Sequence, residues 1–324
     1  MSELVLITGG AGYVGAPLAE LLNSSGKRVR VLDSFLHGQD HVGASLLASG
    51  VEVLRGDVCD PAVRARALDG AVAVVHLAAI VGDPACAQQP QLARETNVEA
   101  TKALIAQAGA AGAERFVFAS TCSNYGRMAD PTIPIDEEAV LAPVSLYAEQ
   151  KVEVEQFLLG DSHGLQPTCL RFATVYGVAP RMRFDLTVNE FSRDLWADRD
   201  LEVFGEQFWR PYVHVRDAGR AAAAVLAAPA EKVAGEVFNV GRSDENYRKL
   251  DLVEEIQKQL DRGRVSYVRR NEDPRDYKVN FEKIKNQLGF EITMTVPRGI
   301  AEVVEALAAG LFPDPFSAAY RNIP

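Results

Sequence analysis

The sequence predicts an α/β protein with a doubly wound parallel sheet, followed by a smaller α/β C-terminal lobe. Three observations indicate this fold class. Short apolar runs alternate with stretches of helical pattern, the first apolar run breaks abruptly into a glycine-rich turn, and polar residues follow several of the runs. Such alternation is typical of parallel strands that are joined by helices.

The first strand and its turn span residues 4–15 and read LVLITGGAGYVG. Gly9, Gly12 and Gly15 are three residues apart, and the stretch also fits the pattern G-x-G-x-x-G. Glycine lets the chain turn sharply, lets backbone approach a pyrophosphate, and lets the next helix pack closely on the sheet. We expect a phosphate at the N-terminus of the helix that begins near Ala16, where unpaired N–H groups favour negative charge.

A carboxylate follows the second apolar strand, which is predicted over residues 29–32. Asp33 lies roughly 20 residues past the glycines, where dinucleotide-binding folds place the acid that binds the ribose. No Arg or Lys lies between Ser34 and Asp40 to receive a 2′-phosphate. The pattern therefore favours NAD over NADP.

Three further strands are predicted over residues 51–55, 71–77 and 115–120, with helices over 62–68 and 91–110. Parallel strands deliver the residues at their carboxyl ends to one edge of the sheet, where ligands collect. The residues expected at that edge are Asp57, Val58, Leu77, Ala78 and Ala79.

A tyrosine and a lysine share one face of a helix predicted over residues 147–159. Tyr147 and Lys151 are four residues apart, which places them within one turn of each other. A free phenol has a pKa near ~10 and is a poor base at neutral pH, whereas a lysine cation and an oxidised nicotinamide both favour phenolate. Tyr147 is therefore expected to take a proton from a hydroxyl, with the strand-end Thr121 beside it.

Composition narrows the partners and the compartment. The net charge of −10 over 324 residues argues against nucleic acid or an anionic membrane as the main partner, and no apolar run is long enough to cross a bilayer. The chain enters a strand at once, which leaves no room for a signal peptide. The four cysteines lack metal-binding spacing and suit a reducing compartment, so we expect a cytoplasmic protein without a metal site.

The chain resembles the extended short-chain dehydrogenase/reductases, and within them the NAD-dependent sugar-nucleotide epimerases, dehydratases and reductases. The motifs that carry this resemblance are TGGAGYVG at 8–15, HLAA at 76–79, STCSNYG at 120–126, YAEQK at 147–151, RFATVYG at 171–177 and RPYVHVRDAG at 210–219. The resemblance implies a Rossmann fold with bound NAD. It also implies catalytic roles for Thr121, Tyr147 and Lys151, with Asn97 supporting the proton relay.

The same resemblance implies a set of cofactor contacts along the chain. In it Asp33 would hold the adenosine ribose, and Asp57 with Val58 would hold the adenine. The full set implied to bind NAD is Gly9, Gly12, Tyr13, Val14, Gly15, Asp33, Asp57, Val58, Leu77, Ala78, Ala79, Asn97, Tyr147, Lys151, Ala173 and Val175.

The residues directly after Thr121 bear on the reaction. Dehydratases of the resembled family carry an Asp-Glu pair there, because elimination of water needs an acid and a base, whereas this chain has Cys122 and Ser123. Epimerases and 4-keto reductases of the family carry small neutral residues. We therefore expect a 4-epimerase-like enzyme, with three alternatives: a net NAD(H)-dependent 4-dehydrogenase or 4-keto reductase, an atypical dehydratase that uses Cys122, and a catalytically idle NAD-binding scaffold.

The remaining expectations concern the substrate and the assembly. Residues 1–177 are expected to bind NAD and carry the catalytic residues, and residues 178–324 to form a substrate lobe partly interwoven with them. The resemblance implies a nucleotide-sugar substrate whose diphosphate is clasped by arginines, which bind phosphate through two parallel hydrogen bonds. Thr174 stands where the family motif carries Asn, and a homodimer through the helices near 91–110 and 147–159 is implied. The implied substrate contacts are Thr121, Tyr147, Thr174, Asn189, Arg210, Arg270 and Arg275.

Overall fold

The computed structural model describes residues 3–128, 130, 132–268 and 275–322. Its strands are β1 (Leu4–Thr8), β2 (Arg28–Asp33), β3 (Glu52–Arg55), β4 (Ala71–His76), β5 (Arg115–Thr121), β6 (Gln166–Phe172), β7 (Thr174–Tyr176), β8 (Leu201–Phe204), β9 (Trp209–His214), β10 (Glu236–Val240), β11 (Asn246–Arg248) and β12 (Val265–Val268). Its α-helices are α1 (Gly15–Ser24), α2 (Asp40–Ala48), α3 (Pro61–Leu68), α4 (Asp83–Gln88), α5 (Pro90–Arg94), α6 (Thr101–Ala110), α7 (Leu146–Gly160), α8 (Thr187–Trp196), α9 (Val215–Ala227), α10 (Ala230–Val233), α11 (Lys249–Gln257), α12 (Glu282–Leu288) and α13 (Val296–Ala308). None of these helices is long and apolar enough to span a bilayer.

The main sheet has seven parallel strands in the order β10-β6-β5-β4-β1-β2-β3. The predicted doubly wound parallel sheet is therefore confirmed. The chain builds the sheet outward from β1 in one direction and then from β4 in the other, so the crevice between these two strands lies at the reversal point. Open α/β sheets bind their ligands at the carboxyl ends of the strands beside such a point.

The C-terminal half of the chain contributes to the main sheet as well as to smaller ones. Strand β10 pairs in parallel with β6, from Glu236 opposite Thr168 to Val240 opposite Phe172. Two small sheets, β11-β9-β7 and β12-β8, lie outside the main sheet. The main sheet therefore extends across the boundary predicted at residue 177, and segments on both sides of that boundary surround the crevice.

The helix predicted over residues 91–110 is present without a break, but its middle is π-helical and not α-helical. The structure has α5, then a π-helical segment over Glu95–Ala100, then α6. A π-helical turn widens the helix locally and changes the direction of the side chains it carries, and such turns are frequent at functional sites. Here it carries Asn97, which is only 3% exposed.

The end of β4 is fixed by a buried histidine. The two ring nitrogens of His76 lie 2.7 Å from Thr8 Oγ1 on β1 and 2.8 Å from Thr101 Oγ1 on α6. Burial lowers the pKa of His76 to about 3, so the ring is neutral and its two nitrogens are one donor and one acceptor. This bridge holds the two strands at the reversal point and α6 in a fixed relation.

Candidate active site

A cavity of about 460 Å³ opens at the carboxyl ends of the main-sheet strands. It brings together residues that are far apart in the sequence, from the glycine turn, from the ends of β2, β4 and β5, and from α7. The predicted cofactor, catalytic and substrate residues that line it are Gly9, Gly12, Tyr13, Val14, Gly15, Asp33, Asp57, Val58, Leu77, Ala78, Ala79, Thr121, Ser123, Tyr147, Lys151, Ala173, Thr174, Val175 and Arg275.

The glycine turn leaves no room for side chains. A Cβ on Gly15 would lie 2.3 Å from the carbonyl oxygen of Gly9 and 2.6 Å from Gly10 Cα. Gly9 itself has φ +69°, and a Cβ there would lie 2.7 Å from the backbone nitrogen of Ala78 on the neighbouring loop. The turn thus places backbone directly against the cavity, as a pyrophosphate site requires.

The N-terminus of α1 faces the cavity without a competing anion. The helix has no side-chain cap and no acidic residue in its first turn. The dipole of the helix therefore favours a phosphate at this end, with no carboxylate in the first turn to compete. Together with the glycine turn, this geometry fits the pyrophosphate of a dinucleotide.

Asp33 is held at the end of β2 by backbone donors. Its Oδ2 accepts a hydrogen bond from Ala11 N (2.9 Å), and its Oδ1 accepts from Phe35 N (2.8 Å) and from Gln39 Nε2 (3.2 Å). Burial raises the pKa of this carboxyl, while the two backbone donors oppose that shift. The carboxyl group is fixed at the wall of the cavity, where a ribose hydroxyl could donate to it.

Tyr147 and Lys151 both reach the cavity from the first turns of α7. Ser145 caps this helix: its Oγ accepts from Ala148 N (3.4 Å) and donates to Asp83 Oδ1 (2.7 Å). Lys151 Nζ lies 5.7 Å from the centre of the Tyr147 ring and donates to the carbonyl oxygen of Ala119 at 2.7 Å. The helix therefore places the phenol and the ammonium side by side, as their spacing predicts.

The electrostatics of the pair differ from the expectation. Desolvation inside the cavity raises the pKa of the Tyr147 phenol, and burial lowers the pKa of the Lys151 ammonium to about 8. Both shifts disfavour the charged forms, because low-dielectric surroundings penalise charge. In the chain by itself, burial therefore favours the neutral phenol of Tyr147.

In the turn after β5, Ser123 lines the cavity and Cys122 does not. Thr121 Oγ1 accepts from Ser123 N (3.1 Å), and Ser123 Oγ lies 3.3 Å from Tyr277 OH at the cavity wall. Cys122 instead points behind β5, is 1% exposed, and donates to the carbonyl oxygen of Arg171 (3.2 Å). Burial raises the pKa of its thiol well above the ordinary value. The candidate catalytic Cys122 is therefore placed outside the cavity, packed and protonated.

Asn97 also lies behind the wall of the cavity and not in it. Its Oδ1 accepts from Ile80 N (2.8 Å), and its Nδ2 donates to Ile80 O (3.0 Å) and to Gln150 Oε1 (2.8 Å). Ile80 belongs to the loop that lines the cavity after β4. In this structure Asn97 fixes that loop and does not itself reach the space predicted for NAD.

Two of the expected substrate contacts are buried away from the cavity. Asn189 is 0% exposed, accepts from Gly177 N (2.9 Å) and donates to Tyr13 OH (2.9 Å). Arg210 donates from Nη1 to the carbonyl oxygens of Trp209 (2.6 Å) and Arg275 (2.7 Å). In this structure both side chains hold neighbouring segments of the chain, and their role as substrate contacts stays a prediction.

Arg275 remains at the cavity, where its Nη1 lies 2.8 Å from Asp83 Oδ2. The predicted Arg270 lies outside the described residues.

Sequence reasoning did not single out several other residues that line the cavity: His37, Asp83, Arg181, Arg183, Tyr277 and Asn322. The only local signal for any of them is the pair of arginines in PRMRF at 180–184.

The described residues contain no group of three or more His, Cys, Asp or Glu side chains that could hold a metal ion. The cavity instead has the parts of a dinucleotide site: a glycine turn, a helix N-terminus and an acid at the end of β2. A family model described as the NAD-dependent epimerase/dehydratase family matches residues 5–241. The chain belongs to this family.

Curated relatives of this family member carry out different reactions. A dTDP-glucose 4,6-dehydratase from Streptomyces niveus is 31% identical over 317 residues, covering 93% of this chain and 91% of the relative. A UDP-glucose 4-epimerase from Corynebacterium glutamicum is 27% identical over 326 residues, covering 95% of this chain and 96% of the relative. The chain is thus similar over nearly its whole length to enzymes of the extended short-chain dehydrogenase/reductase type.

Solved structures agree on the fold and the cofactor. The structure of MoeE5 in complex with UDP-glucuronic acid and NAD matches with a TM-score of 0.82 and 27% identity, covering 94% of this chain and 99% of that one. The family is NAD-dependent, and the glycine turn, α1 and Asp33 of this chain fit that cofactor. NAD is therefore its cofactor, as the sequence predicts.

Proposed function

We propose that the protein is an NAD-dependent sugar-nucleotide epimerase of the 4-epimerase type, which oxidises a sugar hydroxyl to a ketone and reduces it again on the other face. One observation carries this proposal. Thr121, Tyr147 and Lys151 line the cavity that also contains the dinucleotide site. In the turn after Thr121, the side chain at this cavity is that of Ser123, which is neutral. The similarity to UDP-glucose 4-epimerases and to a protein that binds UDP-glucuronic acid supports a nucleotide-sugar substrate.

The roles of the three side chains follow from their chemistry. Tyr147 takes the proton of the reacting hydroxyl and later returns it, while Thr121 donates a hydrogen bond to the same oxygen. Lys151, anchored to Ala119 O, holds positive charge beside the phenol. Bound NAD supplies the hydride acceptor and donor and, when oxidised, a second positive charge that favours phenolate.

The carboxylates around the cavity argue against elimination of water. Among the described residues that line it, the carboxylates are Asp33, Asp57 and Asp83. Asp33 is at the dinucleotide end, and Asp83 already accepts from Ser145 and pairs with Arg275. Elimination needs both an acid and a base near the sugar, and an Asp-Glu pair is absent after Thr121. Inversion needs only one proton relay, which Tyr147 supplies.

The reaction type is tested by incubating the purified protein with a panel of nucleotide hexoses and recording product mass and proton NMR couplings. Unchanged mass with altered couplings supports epimerisation. A two-dalton change would indicate net oxidation or reduction, and a loss of eighteen daltons would indicate a dehydratase. Cys122→Ala serves as the matched control, and full activity in this variant is expected because the thiol lies outside the cavity.

We also propose a cytoplasmic homodimer. The four cysteines are free thiols, which favours a reducing compartment. Helix α6 carries small residues, Ala103, Ala106 and Ala110, beside α7, and such residues permit close approach of helices from a second copy. Sedimentation of the wild type should give a dimer mass, and Ala106→Glu, at an exposed position, should shift it toward the monomer mass.

A further inference from the structure

Two buried arginines line the corner of the cavity next to Asp33. Arg181 and Arg183 are 4% and 9% exposed and lie on the segment between β7 and α8. This segment packs against the glycine turn, because the hydroxyl of Tyr13 donates to the carbonyl oxygen of Gly177 at 2.5 Å and Tyr13 shares a buried cluster with Ala179. A buried guanidinium group is stable only when its N–H donors have acceptors.

The two arginines differ in how their donors are used. Arg183 forms a two-point contact with Asp185, with Nε 3.0 Å from Oδ1 and Nη2 2.8 Å from Oδ2. Arg181 donates from Nη2 to the carbonyl oxygen of Arg321 (3.1 Å), but its buried Nε has no hydrogen-bond partner within the part of the chain that the structure describes. One N–H of Arg181 is thus left for an acceptor that the described residues do not provide.

A second unmatched atom lies in the same corner. The side-chain oxygen of Asn322 is buried and lines the cavity, and it has no donor among the described residues. The corner therefore presents a cationic donor and a neutral acceptor beside the carboxylate of Asp33. An anionic group next to a hydroxyl would satisfy all three, and the ribose and pyrophosphate of a dinucleotide have this chemistry.

The C-terminal segment holds this corner in place. Phe184 N donates to the carbonyl oxygen of Tyr320 (2.8 Å), and Asn322 N donates to Asp185 Oδ2 (3.0 Å). The Tyr320 ring packs edge-on against Phe184 and Phe312, with ring centres 5.6 Å and 5.5 Å apart. Residues 312–322 therefore hold the backbone of Phe184, the carboxylate of Asp185 that pairs with Arg183 and, through Arg321 O, the guanidinium of Arg181.

We propose that Arg181 binds the pyrophosphate of the dinucleotide together with the glycine turn, and that the C-terminal segment over residues 312–322 positions it. Retention of the cofactor then depends on the C-terminal segment. The inference depends on the cofactor of the family and not on the proposed epimerase reaction. Measurements of cofactor binding therefore test it independently of the reaction.

The test uses the full-length protein, freed of nucleotide, and measures dissociation constants for NAD, ADP and adenosine by calorimetry. Arg181→Gln should weaken NAD and ADP roughly 10- to 100-fold, because a buried charge-assisted hydrogen bond to phosphate is lost. Adenosine, which lacks the phosphates, should bind the variant and the wild type equally. Arg181→Lys should recover part of the loss, since it keeps the charge but not the planar fork.

Two further variants separate the proposal from a general loss of structure. Arg264→Gln removes an exposed arginine that pairs with Asp200 and should leave all three constants unchanged. Tyr320→Ala does not touch the cavity lining but should weaken ADP in the same direction as Arg181→Gln. Equal ADP affinity in Arg181→Gln and the wild type, or an equal loss for adenosine and ADP, would overturn the proposal. Melting temperatures of the variants establish that each one is folded.

Discussion

Lys151 Nζ donates a hydrogen bond to the carbonyl oxygen of Ala119, 2.7 Å away, and so ties α7 to the strand that ends at Thr121. The same ammonium lies 4.6 Å above the ring of Phe118. The cation is thus anchored by the scaffold before any substrate arrives. The ammonium group is therefore held near Tyr147 by its contacts with β5 and not by a hydrogen bond to the phenol.

Replacing Lys151 with Met should change how stability depends on pH. Burial lowers the pKa of Lys151 from 10.5 to about 8, so between these values the unfolded state binds more protons than the folded state. The free energy of unfolding of the wild type should therefore rise with pH in this window, relative to Lys151→Met, by up to about 3 kcal/mol. Urea titrations of both proteins at pH 7.5 and above pH 10 measure this change in the free energy of unfolding. A difference between the two proteins that stays the same at both pH values would contradict a lowered pKa of Lys151.

Gly15→Ala should abolish binding of NAD. The new Cβ would lie 2.3 Å from Gly9 O, so the turn that faces the cavity must shift. Gly160→Ala is the matched control, because a Cβ at the end of α7 meets nothing within 4 Å. The control should bind NAD normally and be unchanged or slightly more stable, by about 0.5–1 kcal/mol. NAD binding by Gly15→Ala with the affinity of the control would show that the turn is not the cofactor site.

A buried ion pair supports the end of β5, where Thr121 lies, and the turn that follows it. Arg171 Nη2 lies 2.7 Å from Glu155 Oε2, with the two side chains 6% and 3% exposed. The same carboxylate accepts from Asn124 Nδ2 (2.9 Å) and from the hydroxyl of Ser120. Glu155 lies one turn after Lys151 on α7, so it connects this helix to Ser120 near the end of β5 and to Asn124 in the turn after it.

Glu155→Gln should therefore destabilise the protein by about 3–5 kcal/mol, because it leaves the Arg171 guanidinium buried without its counter-charge. Combining it with Arg171→Met removes the stranded charge, and the double variant should be more stable than Glu155→Gln alone. Urea unfolding of the four proteins gives the coupling energy. Additive effects of the two substitutions would contradict a coupled pair.

The features predicted from the sequence are those set by short-range pattern. The glycine spacing, the acid after the second strand and the four-residue spacing of Tyr147 and Lys151 each depend on only a few neighbouring residues. The structure places all of these residues around one cavity. Boundaries of most predicted elements agree within a few residues for the same reason, since apolar period and glycine are local signals.

The features that sequence reasoning missed depend on contacts between distant segments. Arg181 lines the dinucleotide corner only because residues 312–322 fold back on the segment between β7 and α8. Arg210 looks like a phosphate-binding residue in sequence, but its guanidinium is bonded to the carbonyl oxygens of Trp209 and Arg275. The π-helical turn that carries Asn97 is equally invisible, because α-helical and π-helical stretches share one composition.

Tyr147→Phe tests the central claim most directly, since it removes one oxygen and leaves the ring in place. With the nucleotide sugar identified by the panel, turnover should fall by at least about 100-fold, because the proton relay is lost. The variant should keep the melting temperature and the NAD affinity of the wild type. Turnover equal to that of the wild type would contradict a catalytic phenol at this position.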